Sequence, residues 1–128
     1  MRLLACALLL AVLVLPATGC GKDKEFDGPT VDKFVGKVVK DGKNFTFPTS
    51  DQLIIEAKHE SRQTFGIPIN PDGTFEIGWM PLGNYVLFAE YHKSGQKGRA
   101  NKTTIPGGLQ VMQSKTDYVI DLGKNWKP

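Results

Sequence analysis

Cysteine is nearly absent from this sequence. Only Cys6 and Cys20 occur among the 128 residues, and both lie close to the start of the chain. Cys6 belongs to an apolar run that we expect to be cleaved off, so at most one thiol remains and no intramolecular disulfide forms. The folded part must therefore be stabilised by a hydrophobic core alone, which a chain of roughly 100 residues can supply.

Long hydrophobic runs are also missing. The longest extends over the thirteen residues from Leu3 to Leu15, whereas a membrane-spanning helix needs roughly 20. With Arg2 before it and small residues at 17–19 after it, this run is typical of a secretory signal peptide. Small residues directly before Cys20 resemble a bacterial lipobox, which implies that cleavage leaves an acylated cysteine as the new N-terminus. An ordinary signal peptide followed by a chance cysteine is the alternative.

The residues that most often hold zinc or carry out catalysis are scarce. His59 and His92 are the only histidines. His59 stands beside Glu60, but the spacing to further ligands that a metal site needs is absent. The sequence contains no Gly-x-Ser-x-Gly motif, no cysteine nucleophile and no phosphate-binding glycine loop. We therefore expect no metal, no cofactor and no enzymatic activity.

Charge of one sign is not in large excess. Without residues 1–19 the chain has 15 basic and 13 acidic side chains, so we expect no nucleic-acid partner. The stretch 92–104 lacks apolar periodicity and concentrates positive charge, with Lys93, Lys97, Arg99 and Lys102. A solvated loop is the default interpretation of this stretch, and contact with an anionic polymer or lipid surface is the alternative.

Apolar residues after position 33 recur at every second position, which is typical of half-buried strands. Beyond residue 19, no stretch of eleven residues keeps a helical period of 3.6. The alternation predicts about seven short strands packed as an all-β sandwich. The inward-facing sets on four of these strands are Phe34, Gly36 and Val38; Leu53, Ile55 and Ala57; Tyr85, Leu87 and Ala89; and Tyr118, Ile120 and Leu122. Val86 and Phe88 then lie on the outer face, where the segment 105–111 or a partner would have to cover them.

Turn signals separate the predicted strands. Asn70 to Gly73 reads Asn-Pro-Asp-Gly and predicts a tight turn that joins segments 65–69 and 74–77 into a hairpin. Asp-Gly-Lys at 41–43 predicts a second turn. Ile-Pro-Gly-Gly at 105–108 predicts a third, followed by a short strand at 109–111.

Several of these segments together resemble a known domain. Phe34 to Val38, Asp41 to Lys43, Asp72 to Ile77 and Pro81 to Leu87 are similar to the carboxypeptidase regulatory-like domain, a transthyretin-like β-sandwich. The resemblance covers residues 33–122. It implies a single antiparallel Greek-key sandwich of the transthyretin or prealbumin type, serving stability or recognition and carrying no catalytic residues.

The domain organisation follows from these segments. We expect a lipoprotein signal peptide at 1–19, a lipidated N-terminus and tether at 20–32, the sandwich at 33–123 and a tail at 124–128. The expected protein is a non-enzymatic module of the bacterial envelope, anchored through the lipid on Cys20 and facing the periplasm or the exterior. A carbohydrate-binding lipoprotein is the alternative, with Trp79 and Trp126 as a platform for stacking sugars.

Overall fold

The computed structural model describes residues 26–128, which form ten β-strands and no helix. No helix able to cross a membrane occurs in this range. Seven strands have four residues or more, and the predicted all-β sandwich is confirmed. The strands are β1 (Thr30–Val31), β2 (Phe34–Lys40), β3 (Lys43–Asn44), β4 (Gln52–His59), β5 (Thr64–Ile69), β6 (Thr74–Ile77), β7 (Met80–Pro81), β8 (Gly83–His92), β9 (Lys102–Val111) and β10 (Tyr118–Asp121).

Two four-stranded sheets make up the sandwich. The larger sheet has the antiparallel order β5-β4-β8-β9. In the smaller sheet β2 pairs with β10 on one edge and with β3 and β6 on the other, and a separate ribbon joins β1 to β7. The pair of β10 and β2 is parallel. Strand β9 ends beside the start of β8, at the same end of the sandwich where β2 begins. After the short connection 112–117, β10 therefore starts at that end and runs in the same direction as β2.

The core lies between the two sheets, and the predicted inward-facing sets line it. All members of these four sets are buried except Gly36, which is half-buried. The Phe34 ring packs on Phe75 and on Tyr118, with ring centroids 5.2 and 4.7 Å away. A Cβ atom at Gly36 would overlap the carbonyl oxygen of Tyr118 and come within 2.6 Å of the Phe75 ring. Glycine is therefore required where β2 and β10 meet this aromatic cluster.

The turn at 70–73 forms as predicted, but the hairpin prediction is wrong. Gly73 has a φ of 88°, and the Asp72 carboxylate accepts hydrogen bonds from the backbone N–H and the hydroxyl of Thr74. However, β5 pairs with β4 in the larger sheet, whereas β6 pairs with β2 in the smaller one. The turn therefore carries the chain across the core. Strand alternation identifies the inward residues in either arrangement, but it does not say which sheet a strand joins.

The predicted turn at 105–108 is a bulge inside one strand, β9. Ile105 pairs with Leu87 and Leu109 pairs with Tyr85, so three residues of β9 lie opposite Val86 alone. Gly107 and Gly108 absorb the extra length with φ values of 85° and 59°. Because β9 extends the larger sheet at its edge, it does not cover the outer face of β8. Val86 remains 51% exposed, and the predicted cover is wrong.

The sandwich begins earlier than the predicted boundary at residue 33. Strand β1 lies within the predicted tether and pairs with β7, which places Thr30 opposite Pro81. The Phe26 ring packs edge-on against His59, with centroids 5.3 Å apart. The predicted signal peptide, the lipidation site Cys20 and the first part of the tether lie outside the described residues.

Candidate functional site

The sandwich has two ends, which differ in chemistry. We call one the Phe26 end, where the described chain starts against His59, and the other the Trp126 end, where the indole of Trp126 lies 6.0 Å from the Tyr91 ring. Strand β4 connects the two, since its first residues pair beside Tyr91 and its last residue is His59. Eight strand residues separate the ends by about 23 Å.

Trp126 closes the hydrophobic core at its own end. Its side chain is 7% exposed, and its ring meets Phe45 at 5.2 Å in addition to Tyr91. Trp79 belongs to the opposite end, where it contacts the Phe65 ring at 5.8 Å and is 43% exposed. The structure therefore does not bring the two tryptophans together, and a joint sugar-stacking platform built from both is wrong.

A groove lies beside Trp126, between β9 and the C-terminal segment. Its volume is about 390 Å³. Hydroxyl, amide and ammonium groups line it together with Trp126. The lining residues are Thr103, Thr104, Pro106, Leu122, Gly123, Lys124, Asn125, Trp126 and Lys127. Such a surface offers donors for sugar hydroxyls and positive charge for a carboxylate or a phosphate.

The predicted basic loop forms next to this groove and is shorter than expected. Strands β8 and β9 leave only residues 93–101 between them, and Lys93, Lys97 and Arg99 are exposed there. Among the described residues, no carboxylate lies within ion-pair distance of these three side chains. Lys102 belongs instead to β9, where its Nζ lies 2.6 Å from the Glu56 carboxylate. That hydrogen bond raises the pKa of Lys102 and keeps its ammonium on the outer face of the larger sheet.

Hydrogen bonds fix the base of the loop. The Asp51 carboxylate accepts one from the Tyr91 hydroxyl at 2.5 Å and one from the backbone N–H of Ser94 at 2.9 Å. These bonds, that of Tyr91 first, lower the pKa of Asp51. Burial, together with the same hydrogen bond, raises the pKa of Tyr91 to about 12. The loop therefore starts from a fixed position at the Trp126 end.

Asp121 joins the C-terminal segment to the first turn. Its carboxylate accepts hydrogen bonds from the backbone N–H groups of Gly123 and Asp41 at 2.9 Å and of Gly42 at 3.2 Å. These bonds, led by that of Gly123, lower the pKa of Asp121. The Asp41–Gly42 turn is the one predicted from the sequence, with positive φ at both positions as a tight hairpin turn requires. The structural role of Asp121 was not predicted, because two of its three partners lie about 80 residues earlier in the chain.

Positive charge dominates the Trp126 end. The aspartates at this end are Asp41, Asp51, Asp72 and Asp121, and hydrogen bonds that hold turns engage the carboxylates of the last three. The basic residues at this end are Lys40, Lys43, Lys93, Lys97, Arg99, Lys124 and Lys127. This excess gives the end a positive potential that attracts anionic groups.

His59 at the Phe26 end is buried and hydrogen-bonded on both ring nitrogens. The backbone N–H of Ser61 donates to Nδ1 at 3.1 Å, so Nε2 carries the proton and donates to the Leu82 carbonyl at 2.8 Å. A Cβ at Gly83 would lie within 2.6 Å of this Nε2. Between residues 26 and 128 no group of three or more His, Cys, Asp or Glu side chains is arranged to hold a metal ion. His59 therefore serves to join the ends of β4 and β7.

Comparison of the chain with protein-family models, with curated proteins and with solved structures gives no match. The chemistry of the two ends is therefore the basis for a functional proposal. The Phe26 end receives the N-terminal segment, and the Trp126 end combines positive charge, a groove and an exposed loop.

Proposed function

We propose that this chain is a lipid-anchored interaction module of the bacterial cell envelope, attached to the membrane through Cys20 and acting by binding. One observation carries the proposal. The chain reaches the sandwich at the Phe26 end, six residues after Cys20, while the positive charge and the groove lie at the opposite end. An anchor at residue 20 would therefore hold one end near the membrane and present the other to partners.

Distances support this arrangement. Six residues span at most about 20 Å even when fully extended. The Phe26 end would therefore remain close to the bilayer surface, and the Trp126 end would lie about 23 Å farther along the strands. Two or more acyl chains on one cysteine would make the attachment stable.

The sequence before the sandwich supports the proposed location in the cell envelope. The short apolar run at 3–15 and the small residues before Cys20 are those of a lipoprotein signal peptide. The resemblance of residues 33–122 to the carboxypeptidase regulatory-like domain adds the expectation of a recognition module. Together they favour a protein that faces the periplasm or the exterior.

Replacing Cys20 with serine should detach the protein from membranes. Serine cannot carry a thioether-linked lipid. We therefore expect the Cys20→Ser variant to be either unprocessed or released into the soluble fraction. The unsubstituted chain should remain membrane-bound after a high-salt wash. Fractionation and intact mass measure both effects. The matched control is Cys6→Ser, which changes the other cysteine and should leave anchoring intact. Normal cleavage of Cys20→Ser with salt-resistant membrane binding would show that the lipobox interpretation is wrong.

The groove at the Trp126 end favours carbohydrate binding as a second candidate function. Thr103, Thr104 and Asn125 provide hydrogen-bonding groups, while Lys124 and Lys127 provide positive charge beside Trp126. This combination suits a saccharide that carries carboxylate or phosphate groups. Trp126 itself is a poor probe, because its truncation would open the core.

A glycan array with the purified chain tests this candidate. If it is correct, acidic saccharides bind, and the double variant Lys124→Ala/Lys127→Ala loses that binding. Trp79→Ala, at the opposite end, should bind unchanged and serves as the control. High salt should weaken the interaction, because it screens exposed charges. Absence of binding across a broad array would leave the interaction module without a saccharide ligand.

A further inference from the structure

The Phe26 end exposes two large apolar side chains that are not part of the hydrophobic core. Trp79 lies between β6 and β7 and is 43% exposed, with the Phe65 ring as its aromatic contact. Met112 follows the last residue of β9 and is 40% exposed. Unlike Val86 and Val119, which lie within strands β8 and β10, these two residues lie just beyond the ends of strands.

Strand pairing places both side chains around the point where the chain reaches the sandwich. Trp79 precedes β7, which pairs with β1, and β1 begins four residues after Phe26. Val111 pairs with Gly83, the residue that follows Leu82 beside His59, so Met112 lies at this end as well. Two exposed apolar side chains therefore lie at the end of the sandwich where the described chain begins.

We propose that the Phe26 end rests on the bilayer, with Trp79 and Met112 inserted at the level of the lipid headgroups; this rests on the proposed anchoring at Cys20. A tryptophan with a polar N–H and an apolar ring system is suited to the boundary between headgroups and acyl chains. The six residues between Cys20 and Phe26 reach at most about 20 Å. This short connection keeps the exposed side chains beside the lipid surface.

Electrostatic attraction does not explain this contact. Lys33 at this end is paired with Glu76 at 3.1 Å. Among the described residues at this end, the remaining charged groups are balanced to within one charge, with Lys58, Arg62 and Lys115 against Asp27, Asp32, Glu60 and Asp117. Apolar insertion must therefore provide the contact. We expect it to persist in vesicles of uncharged lipid and at high salt, unlike binding at the positively charged Trp126 end.

The two tryptophans at opposite ends provide the test. The full chain is produced in a bacterial host as the Trp126→Phe and Trp79→Phe variants, each with one tryptophan. Each variant is then reconstituted into phosphatidylcholine vesicles. Lipids brominated near the headgroup quench nearby indoles. We expect a loss of Trp79 emission, with a shift to shorter wavelength relative to detergent solution. Trp126 emission should stay unchanged. Salt at 0.5 M should alter neither result, because it shortens the electrostatic screening length to between about 3 and 10 Å and so weakens only contacts between charges.

The outcomes separate this inference from the proposed function. Flotation with the vesicles together with quenching of Trp79 alone supports the contact. Flotation without quenching of Trp79, or with quenching of Trp126 instead, overturns the contact and leaves the anchor intact. A chain that carries no lipid on Cys20 by mass spectrometry and does not float overturns both.

Discussion

Leu87→Ala is expected to lower the free energy of unfolding by about 2 to 5 kcal/mol, because it removes buried methyl groups and leaves a cavity. Leu87 is fully buried at the centre of β8, between Ala57 on one neighbouring strand and Ile105 on the other. Each of these strands belongs to the larger sheet, so collapse around the cavity would require the sheet itself to move. Urea denaturation of the purified chain measures the loss.

The two neighbours of Leu87 provide matched controls on the same strand. Val86 is 51% exposed, and its replacement with alanine should change stability by no more than about 0.5 kcal/mol. Phe88 is half-buried and lies opposite Glu56 and Thr104, so Phe88→Ala should lose the cross-strand contacts of its ring, about 1 kcal/mol. A harmless Leu87→Ala combined with a severe Phe88→Ala would mean that the strand faces the opposite way.

Gly36→Ala is expected to cost about 3 kcal/mol or more, at the upper end of overpacking substitutions. The added methyl group would overlap the backbone carbonyl of Tyr118 and press on the Phe75 ring. A backbone carbonyl in a paired strand cannot turn aside as a flexible side chain can. The substitution should therefore separate β10 from β2, and hydrogen exchange should become faster in these two strands before the rest of the sandwich.

Gly66→Ala provides the comparison for this prediction. Gly66 also lies in a strand, and the nearest atom to an added Cβ is a methyl group of Ile54 at 4.0 Å. Alanine should be tolerated or slightly stabilising there, since glycine weakens strand interiors. Equal stability of both variants would contradict a close approach of β10 at Gly36.

The strands and their inward faces were predictable because burial leaves a period of two in the sequence. Tyr85, Leu87 and Ala89 face the core as their alternation indicates. The pairing of strands was not predictable in the same way. Strands β5 and β6 each alternate correctly, yet they belong to different sheets, and only contacts between distant segments decide this.

The structures that glycine and proline indicate were ambiguous for a related reason. Positive φ angles at Gly107 and Gly108 serve a bulge as well as a turn, so the signal at 105–108 indicated irregular backbone without giving its form. The strand continues on both sides because Ile105 and Leu109 both find partners on β8.

The residues of the candidate sites were predictable from the sequence, but their positions relative to one another were not. Lys93, Lys97 and Arg99 occupy the exposed loop that their composition indicated. Trp79 and Trp126 looked alike in sequence, since each is an isolated aromatic residue near a turn. Their different burial depends on which segments close each end, and the strand order determines that. The pairing of Lys102 with Glu56 likewise depends on two strands that both flank β8.

The bulge in β9 also has a consequence for self-association. Strand β9 forms an outer edge of the larger sheet, and an open edge is a template on which another chain can add a strand and start aggregation. Pro106 lacks an N–H donor, and the following two glycines bend the backbone away from a straight edge. Pro68 removes a donor in the same way from β5 at the opposite edge. Copies of this chain at high local concentration therefore have no straight, fully hydrogen-bonding edge of this sheet through which to polymerise.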